Sequence, residues 1–257
     1  MKNYDIVIIG AGCSGLSLAY RLIDSSFSVC VIDNKSRDNR IRKTWSYWNT
    51  YSHPFRELEM EPNSQLKIKN IEETILNCKD YNYCSIDSHD FDKHVFAKIN
   101  NCKNIKLYFE KSITDMREIN DGFNLKIDND TLECKYIFDS RPNTKSGDMK
   151  QVFKGVFVEF EEPLEDFVPS LMDFRNQDEF HFIYSLPIRG NRYLFESTYY
   201  SSIKKDKTKM TNDVHEYIKA NHNSNYSVVR DEYGEIPLST NVNLNNQGSN
   251  IFNIGIP

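Results

Sequence analysis

Hydrophobic and polar positions change rhythm several times along the chain, and each rhythm predicts an element. Asp5–Ile9 opens with an unbroken apolar run, the pattern of a buried strand. Gly10–Gly15 interrupts it with three glycines. From Ser14 to about Ser25, Leu16, Ala19, Leu22 and Ile23 recur at helical spacing. Val29–Ile32 is a second buried run, closed by Asp33. Strand, glycine-rich turn, helix and strand together predict a βαβ unit.

Residues 34–48 break this pattern with many charges and then Thr44-Trp45-Ser46-Tyr47-Trp48; residues 49–88 are mixed, with Pro54 and Pro62 as breakers. Ser88 can cap a helix over Asp90–Asn100, with Phe91, His94, Val95, Ala97 and Ile99 on its apolar side. Ile105–Phe109 reads as a strand, residues 112–134 as a meander around Asp121-Gly122 and Asp128–Asp130, and Tyr136–Asp139 as a short buried strand before Ser140-Arg141-Pro142. Near Gly147 the texture changes. Gln151–Glu161 alternates, and with Glu179–Leu186 and Tyr193–Tyr199 it predicts an antiparallel sheet with one apolar face. Lys209–Ala220 reads as a helix and Ile251–Ile256 as a closing strand. The organisation expected is a nucleotide-binding domain over residues 1–147, with the inserted segment 49–88 contributing to the substrate side. An antiparallel-sheet domain over 148–240 and a returning strand over 241–257 complete it.

A chain of 257 residues can bury one large core or two small ones. Lys+Arg 32 against Asp+Glu 37 leaves a net charge of −5, which argues against a dedicated nucleic-acid binder. An aromatic content of 13% is too high for a disordered chain. No apolar run approaches the roughly 18–20 residues of a membrane span, and the first residues enter a structured motif with no signal peptide. The cysteines (Cys13, Cys30, Cys78, Cys84, Cys102 and Cys134) form no C-x-x-C pair, so they read as reduced thiols of a cytosolic protein. His53, His89, His94, His181, His215 and His222 show no ligand spacing, and no metal is expected.

Gly10-Ala11-Gly12-Cys13-Ser14-Gly15 is a complete G-x-G-x-x-G that follows a strand and opens a helix. Gly10 permits the tight turn, Gly12 lets a pyrophosphate approach the backbone, and Gly15 lets helix and strand pack closely. The helix N-terminus presents oriented N–H donors to phosphate, and Asp33 is placed to accept from an adenosine ribose. The motif predicts dinucleotide binding by all six residues and Asp33.

The long excursion before Tyr136–Asp139, the meander inside it and the separate sheet after it resemble the flavoproteins of the glutathione-reductase type. That resemblance implies FAD as the dinucleotide. The expected fold class is α/β, a glutathione-reductase-type FAD-binding Rossmann domain with an antiparallel β-rich substrate domain. A sharper resemblance lies in an ordered set: Thr44–Trp48, Leu171-Met172-Asp173-Phe174-Arg175, Phe182–Pro187 leading into Leu194-Phe195-Glu196-Ser197-Thr198, and Glu232-Tyr233-Gly234-Glu235-Ile236-Pro237. This set is similar to the flavin-dependent lycopene cyclases, and the likeness runs from residue 4 to Pro257.

The resemblance implies cyclisation of the ψ-ends of lycopene to ionone rings without net redox change. Reduced FAD would be the cofactor, NAD(P)H its reductant, and lycopene the hydrophobic substrate, met at a membrane surface by a cytoplasmic protein peripheral on the inner face. Glu196 matches the family's acid/base glutamate, and burial beside aromatic residues and an anionic flavin would raise its pKa. Asp173 matches a second carboxylate important for activity, while a salt bridge to Arg175 or a turn after Pro169 accounts for it equally well. Trp45 and Trp48 either line a polyene tunnel or fill core. Lys35, Arg37, Arg40, Arg42 and Lys43 either contact phosphate or lipid headgroups or form a solvated loop. A flavin monooxygenase, a polyprenyl reductase on the same fold and an inactive truncated flavoprotein are the competing readings. The resemblance also implies further chain beyond Pro257, so the sequence reads as truncated before the part that faces the isoalloxazine, with little flavin retained.

Overall fold

The computed structural model describes residues 2–78, 80–128, 130–141, 149–176, 178–238 and 250–255. In chain order its strands are β1 (Lys2–Ile9), β2 (Val29–Ile32), β3 (Thr44–Trp48), β4 (Gln65–Lys69), β5 (Glu73–Asn77), β6 (Tyr83–Asp87), β7 (Ile105–Tyr108), β8 (Ile113–Ile119), β9 (Gly122–Ile127), β10 (Asp130–Asp139), β11 (Met149–Phe160), β12 (Ser170–Asn176), β13 (His181–Arg189), β14 (Arg192–Ser201), β15 (Tyr226–Leu238) and β16 (Ile251–Asn253). The α-helices are α1 (Cys13–Arg21), α2 (Ser88–Ile99) and α3 (Lys207–Asn221). The chain forms two compact units, one of Met1–Arg42, Ser88–Thr144 and Thr240–Pro257, the other of Lys43–Asp87 and Lys145–Ser239. The change of texture near Gly147, the Pro142 turn and the end of the closing strand at Ile256 lie outside the described residues.

The centre of the first unit is built on two apolar runs that have no polar face. All of β2 is buried, and β1 becomes buried from Ile6 onward. They pair in parallel, with β7 beyond β2 and β10 on the other side of β1. The chain therefore winds outward from β1 to β2 and β7, then returns to the opposite side of β1 at β10. That reversal leaves a crevice at the carboxyl ends of the strands, where open α/β sheets bind ligands. Ile9 pairs with Ile32 and with Asp139, and Asp139 pairs with Asn253, so four strand ends are level there.

The short strand expected at Tyr136–Asp139 is the second half of the longer β10. Its first half pairs antiparallel with β9, and its second half carries β16 in parallel. The helix expected to reach Ser25 stops at Arg21. Leu22, Ile23 and Ser25 continue in tighter i→i−3 bonds, and the Ser25 hydroxyl donates to the Leu22 carbonyl at 2.8 Å.

In the second unit, β15-β11-β14-β13-β12-β4-β5 form one sheet, and β3 and β6 form a separate antiparallel ribbon. The sheet is antiparallel except where β12 meets β4. One face is apolar: Val156, Val158, Phe160, Ile183, Tyr193 and Phe195 pack against Val214, Tyr217 and Ile218 of α3. Asp206 caps α3, its carboxylate accepting from the Thr208 and Lys209 N–H groups. No helix among the described residues is long and apolar enough to cross a membrane.

Candidate active site

The glycine-rich turn closes over the carboxyl end of β1. Gly10 has φ +94°, a conformation costly for any side chain, and a Cβ there would lie 2.3 Å from Ser140 Oγ. At Gly15 a Cβ would stand 2.0 Å from the Gly10 carbonyl oxygen, so the helix–strand approach requires glycine. Gly12 is different: a Cβ there meets no protein atom within 4 Å. The space in front of Gly12 is kept open by the chain, at the N-terminus of α1, where no acidic residue lies in the first turn and no side chain caps the N–H groups. An anion fits this cradle.

Asp33 fixes the turn from behind. One carboxylate oxygen accepts the Ala11 N–H at 2.7 Å and the other the Lys35 N–H at 2.8 Å. Each oxygen retains a lone pair for a hydroxyl group. Within the basic run, Arg40 donates to the Ala11 carbonyl and to Asp92 at 2.5 Å, and Arg37 lies 4.5 Å over the Phe96 ring. Arg40 is thus part of the turn's scaffold rather than of a solvated loop. Cys13 and Ser14 begin α1, and a Cβ at Gly255 would lie 3.1 Å from Ser14 Oγ.

Glu196 sits in the second unit, in the middle of β14. Its cross-strand partners are Tyr184 on β13 and Gly155 on β11, and Gly155 is in turn opposite Glu232 on β15. Directly opposed residues share a face, so Tyr184, Glu196, Gly155 and Glu232 form one row on the face away from α3. Glu196 is 7% exposed. Burial, followed by the charge of Glu232, pushes its carboxyl up to about 8, against the pull of the Thr198 hydroxyl that donates at 2.7 Å. At neutral pH Glu196 therefore carries a proton.

The surroundings of Glu196 are aromatic and hydroxylic. Tyr184 donates to Tyr83 at 3.1 Å, their rings meet edge to face, and Ser46 bonds both phenols. Burial raises both tyrosines, and Glu196 adds to the effect, so the phenols are neutral donors. Arg230 reaches Glu232 at 3.0 Å, Thr44 at 3.2 Å and Asp87 at 3.8 Å, with its guanidinium 3.3 Å over Phe157.

The structure does not bring Asp173 to this row. Asp173 pairs with Ile183, the next residue along β13 from Tyr184, so it points to the opposite face. There its carboxylate accepts from Tyr217 of α3 at 3.0 Å and lies 3.7 Å from Arg175. It stands in a strand rather than a turn after Pro169. The same face holds a Ser–His–Asp set, Ser197, His181 and Asp213. Both partners approach the same imidazole Nε2, at 2.9 and 3.7 Å, and Ser197 is fully buried. A nucleophilic triad needs the acid on the other ring nitrogen and an accessible hydroxyl; this set instead clamps α3 to β14.

Trp45 and Trp48 point to opposite faces of the β3–β6 ribbon, as residues an odd number of positions apart in one strand must. Trp48 shares a face with Tyr83, their rings 5.0 Å apart. Reading the sequence alone leaves Arg230, Asp87 and Tyr83 without a role. Asp87 and Tyr83 lie in β6, every residue of which is buried although Ser85 and Asp87 are polar. That burial is set by tertiary packing, so no pattern in the sequence marks these residues.

Comparison with known proteins bears on both units. The family model for the lycopene cyclase protein matches residues 5–257. No curated protein sequence matches the chain. Among solved structures, a geranylgeranyl bacteriochlorophyll reductase-like protein of Thermoplasma acidophilum superposes with a TM-score of 0.70 at 13% identity, over 93% of this chain and 67% of that one. The p-nitrophenol 4-monooxygenase PnpA of Pseudomonas putida gives 0.72 at 10% identity, over 92% and 69%. PqsL of Pseudomonas aeruginosa, a probable FAD-dependent monooxygenase, gives 0.70 at 13% identity, over 99% and 78%. These likenesses show the fold: a unit with an α/β sheet and a β-rich unit.

Proposed function

The chain belongs to the lycopene cyclase family, and from that premise we propose that it closes the ψ-ends of lycopene to ionone rings, with Glu196 as proton donor and FAD held at Gly10–Gly15 and Asp33. The observation that carries this reading is Glu196 itself, a buried carboxyl pushed up to about 8 on a face lined by tyrosine rings. Protonating an alkene requires a carboxyl that still holds its proton at the working pH and is shielded from water, and the buried Glu196 supplies one. Donation leaves Glu196 ionised where burial makes charge costly. The same oxygen is then driven to take back the proton lost by the ring cation, so no net proton or electron is consumed. The aromatic faces of Tyr83 and Tyr184 favour positive charge nearby.

The open space at Gly12 and the uncapped start of α1 suit the diphosphate of FAD, and Asp33 the adenosine ribose. When bound and reduced, with NAD(P)H as the source of electrons, FAD supplies an electron-rich group that favours a carbocation. Because lycopene is a hydrocarbon dissolved in bilayers, the working site is the membrane surface, reached by a protein peripheral on its cytoplasmic face. In this reading Asp173, on the α3 face, holds Tyr217 and takes no proton-transfer role.

The fold is also that of monooxygenases and a reductase-like protein, and hydroxylation or polyprenyl reduction is the second reading. Expressing the gene in lycopene-accumulating cells and separating the pigments distinguishes them. Cyclic carotenoids should form, without oxygen, from enzyme supplied with reduced FAD. Glu196→Gln should lower their yield by roughly 10²–10⁴-fold. A hydroxylated product that requires oxygen, or a saturated polyene, would overturn the cyclase reading.

A further inference from the structure

The row that carries Glu196 also carries a second buried carboxyl, and a bare backbone position separates them. A Cβ built on Gly155 would lie 3.7 Å from Glu196 Oε2 and 3.1 Å from Glu232 Cγ, so both side chains lean over the same glycine from the strands on either side. Their anchoring differs. Glu196 accepts from the neutral hydroxyl of Thr198. Glu232 accepts from the guanidinium of Arg230 at 3.0 Å and from the Thr44 backbone N–H. We propose that Glu232 is a positioning residue for Glu196: fixed by Arg230 and Thr44 across the open Cα of Gly155, it is the standing anion against which Glu196 keeps its proton. This role rests on Glu196 being the proton donor.

When two buried carboxyls share a site, the one with a cation beside it ionises first and the other is left as the acid. The groups facing Glu196 are Thr198 on its own strand, Tyr184 on β13, Tyr83 on β6 and Glu232 on β15. Both tyrosines are neutral, which leaves Glu232 as the charge that acts on it. Asp87 stands behind Glu232, 3.8 Å from the same guanidinium. It adds a second negative charge to that side and gives Arg230 another reason to stay. Burial raises Glu232 above the free value and Arg230 opposes that rise, and the ion pair is what distinguishes Glu232 from Glu196, which has no cation beside it. Gly155 is the spacer this arrangement needs. Any side chain there would also meet Leu194 Cδ1 at 2.9 Å, in addition to parting the two carboxyls.

The test reads Glu196 directly. The protonated-carboxyl stretch is followed by infrared difference spectroscopy across pH, with Glu196→Gln identifying the band. In Glu232→Gln its midpoint should fall by about one unit, the scale expected when a close like charge is removed. Glu232→Asp, which restores the charge, should return it most of the way. An unchanged midpoint in folded Glu232→Gln overturns the proposal. Should circular dichroism show that Glu232→Gln does not fold, Arg230→Gln is read in its place. Without its cation Glu232 should add a second protonated band that persists to higher pH, and absence of that band overturns the proposal. If the midpoint moves but no variant or parent makes cyclic carotenoid, the cyclase reading fails and the pairing stands. If cyclic product forms and the midpoint does not move, the pairing fails alone.

Discussion

Glu196→Gln should change how stability depends on pH, whatever the chain catalyses. A free glutamate titrates near 4.5, whereas Glu196 in the folded protein is pushed up to about 8. The folded state therefore holds a proton between those values that the unfolded state releases. A raised folded pKa gives stability that is fully present below 4.5 and is lost as pH rises through 8. At 1.36 kcal/mol per pH unit the loss is of the order of 3 kcal/mol by pH 7 and of the order of 5 kcal/mol above pH 9. That is a large part of the 5–15 kcal/mol typical of a folded domain. Gln fills nearly the same space, can still accept from Thr198, and does not titrate. Urea unfolding of parent and variant at several pH values isolates Glu196 and the groups coupled to it, chiefly Glu232, since the titrations of all groups that do not interact with it cancel in the difference. The two should unfold alike near pH 4, and the variant should be the more stable by a growing margin up to pH 9. Parallel stability curves would show that Glu196 is ionised in the folded chain, and the proton-donor role would go with them.

Gly12→Val should leave the melting temperature close to the parent's, because its Cβ meets no protein atom within 4 Å, and should abolish flavin absorbance after reconstitution. Gly15→Ala should do the reverse first, destabilising by about 1–3 kcal/mol or more through collision with the Gly10 carbonyl, as thermal melts will register. Asp173→Asn should cost about 1–3 kcal/mol by weakening the buried bond to Tyr217. The Glu196 infrared midpoint should stay in place in that variant, since the two lie on opposite faces. Burial pulls His181 down to about 4 from 6.5, so its contribution is present above 6.5 and lost as pH falls toward 4; His181→Gln should flatten that acid limb in denaturant titrations.

The first unit was legible because its code is local. Buried parallel strands read as continuous apolar runs, and the glycine turn has fixed spacing, so Asp5–Ile9, Gly10–Gly15 and Val29–Ile32 appear where the chain pattern puts them. The second unit was legible only in its apolar half. Gln151–Glu161 and Tyr193–Tyr199 alternate because one side of each lies against α3. Strand β15 carries Arg230, Asp231, Glu232 and Glu235, and β6 carries Ser85 and Asp87. Arg230, Glu232 and Asp87 meet on the face away from α3, while Asp231 and Glu235 pair with Lys154 and Lys150 on the other, so both faces are polar and hydrophobic periodicity vanishes at the very positions that form the candidate site.

The two candidate carboxylates show where reading one strand at a time stops. Both Asp173 and Glu196 lie in short motifs, and nothing local separates them. Which face each occupies is set by register through an intervening strand. Asp173 lies opposite Ile183 and Glu196 opposite Tyr184, and the single residue between those partners turns the side chains apart. Glu232 passes the same test in the other direction. It lies opposite Gly155, which lies opposite Glu196, so an even path across three strands brings it to the acid's side. The carboxylate nearest in kind to a catalytic partner thus comes from the Glu232–Pro237 stretch rather than from Leu171–Arg175. Arg230, two residues earlier on that strand and therefore on the same face, supplies the cation that lets one glutamate stay ionised while the other keeps its proton.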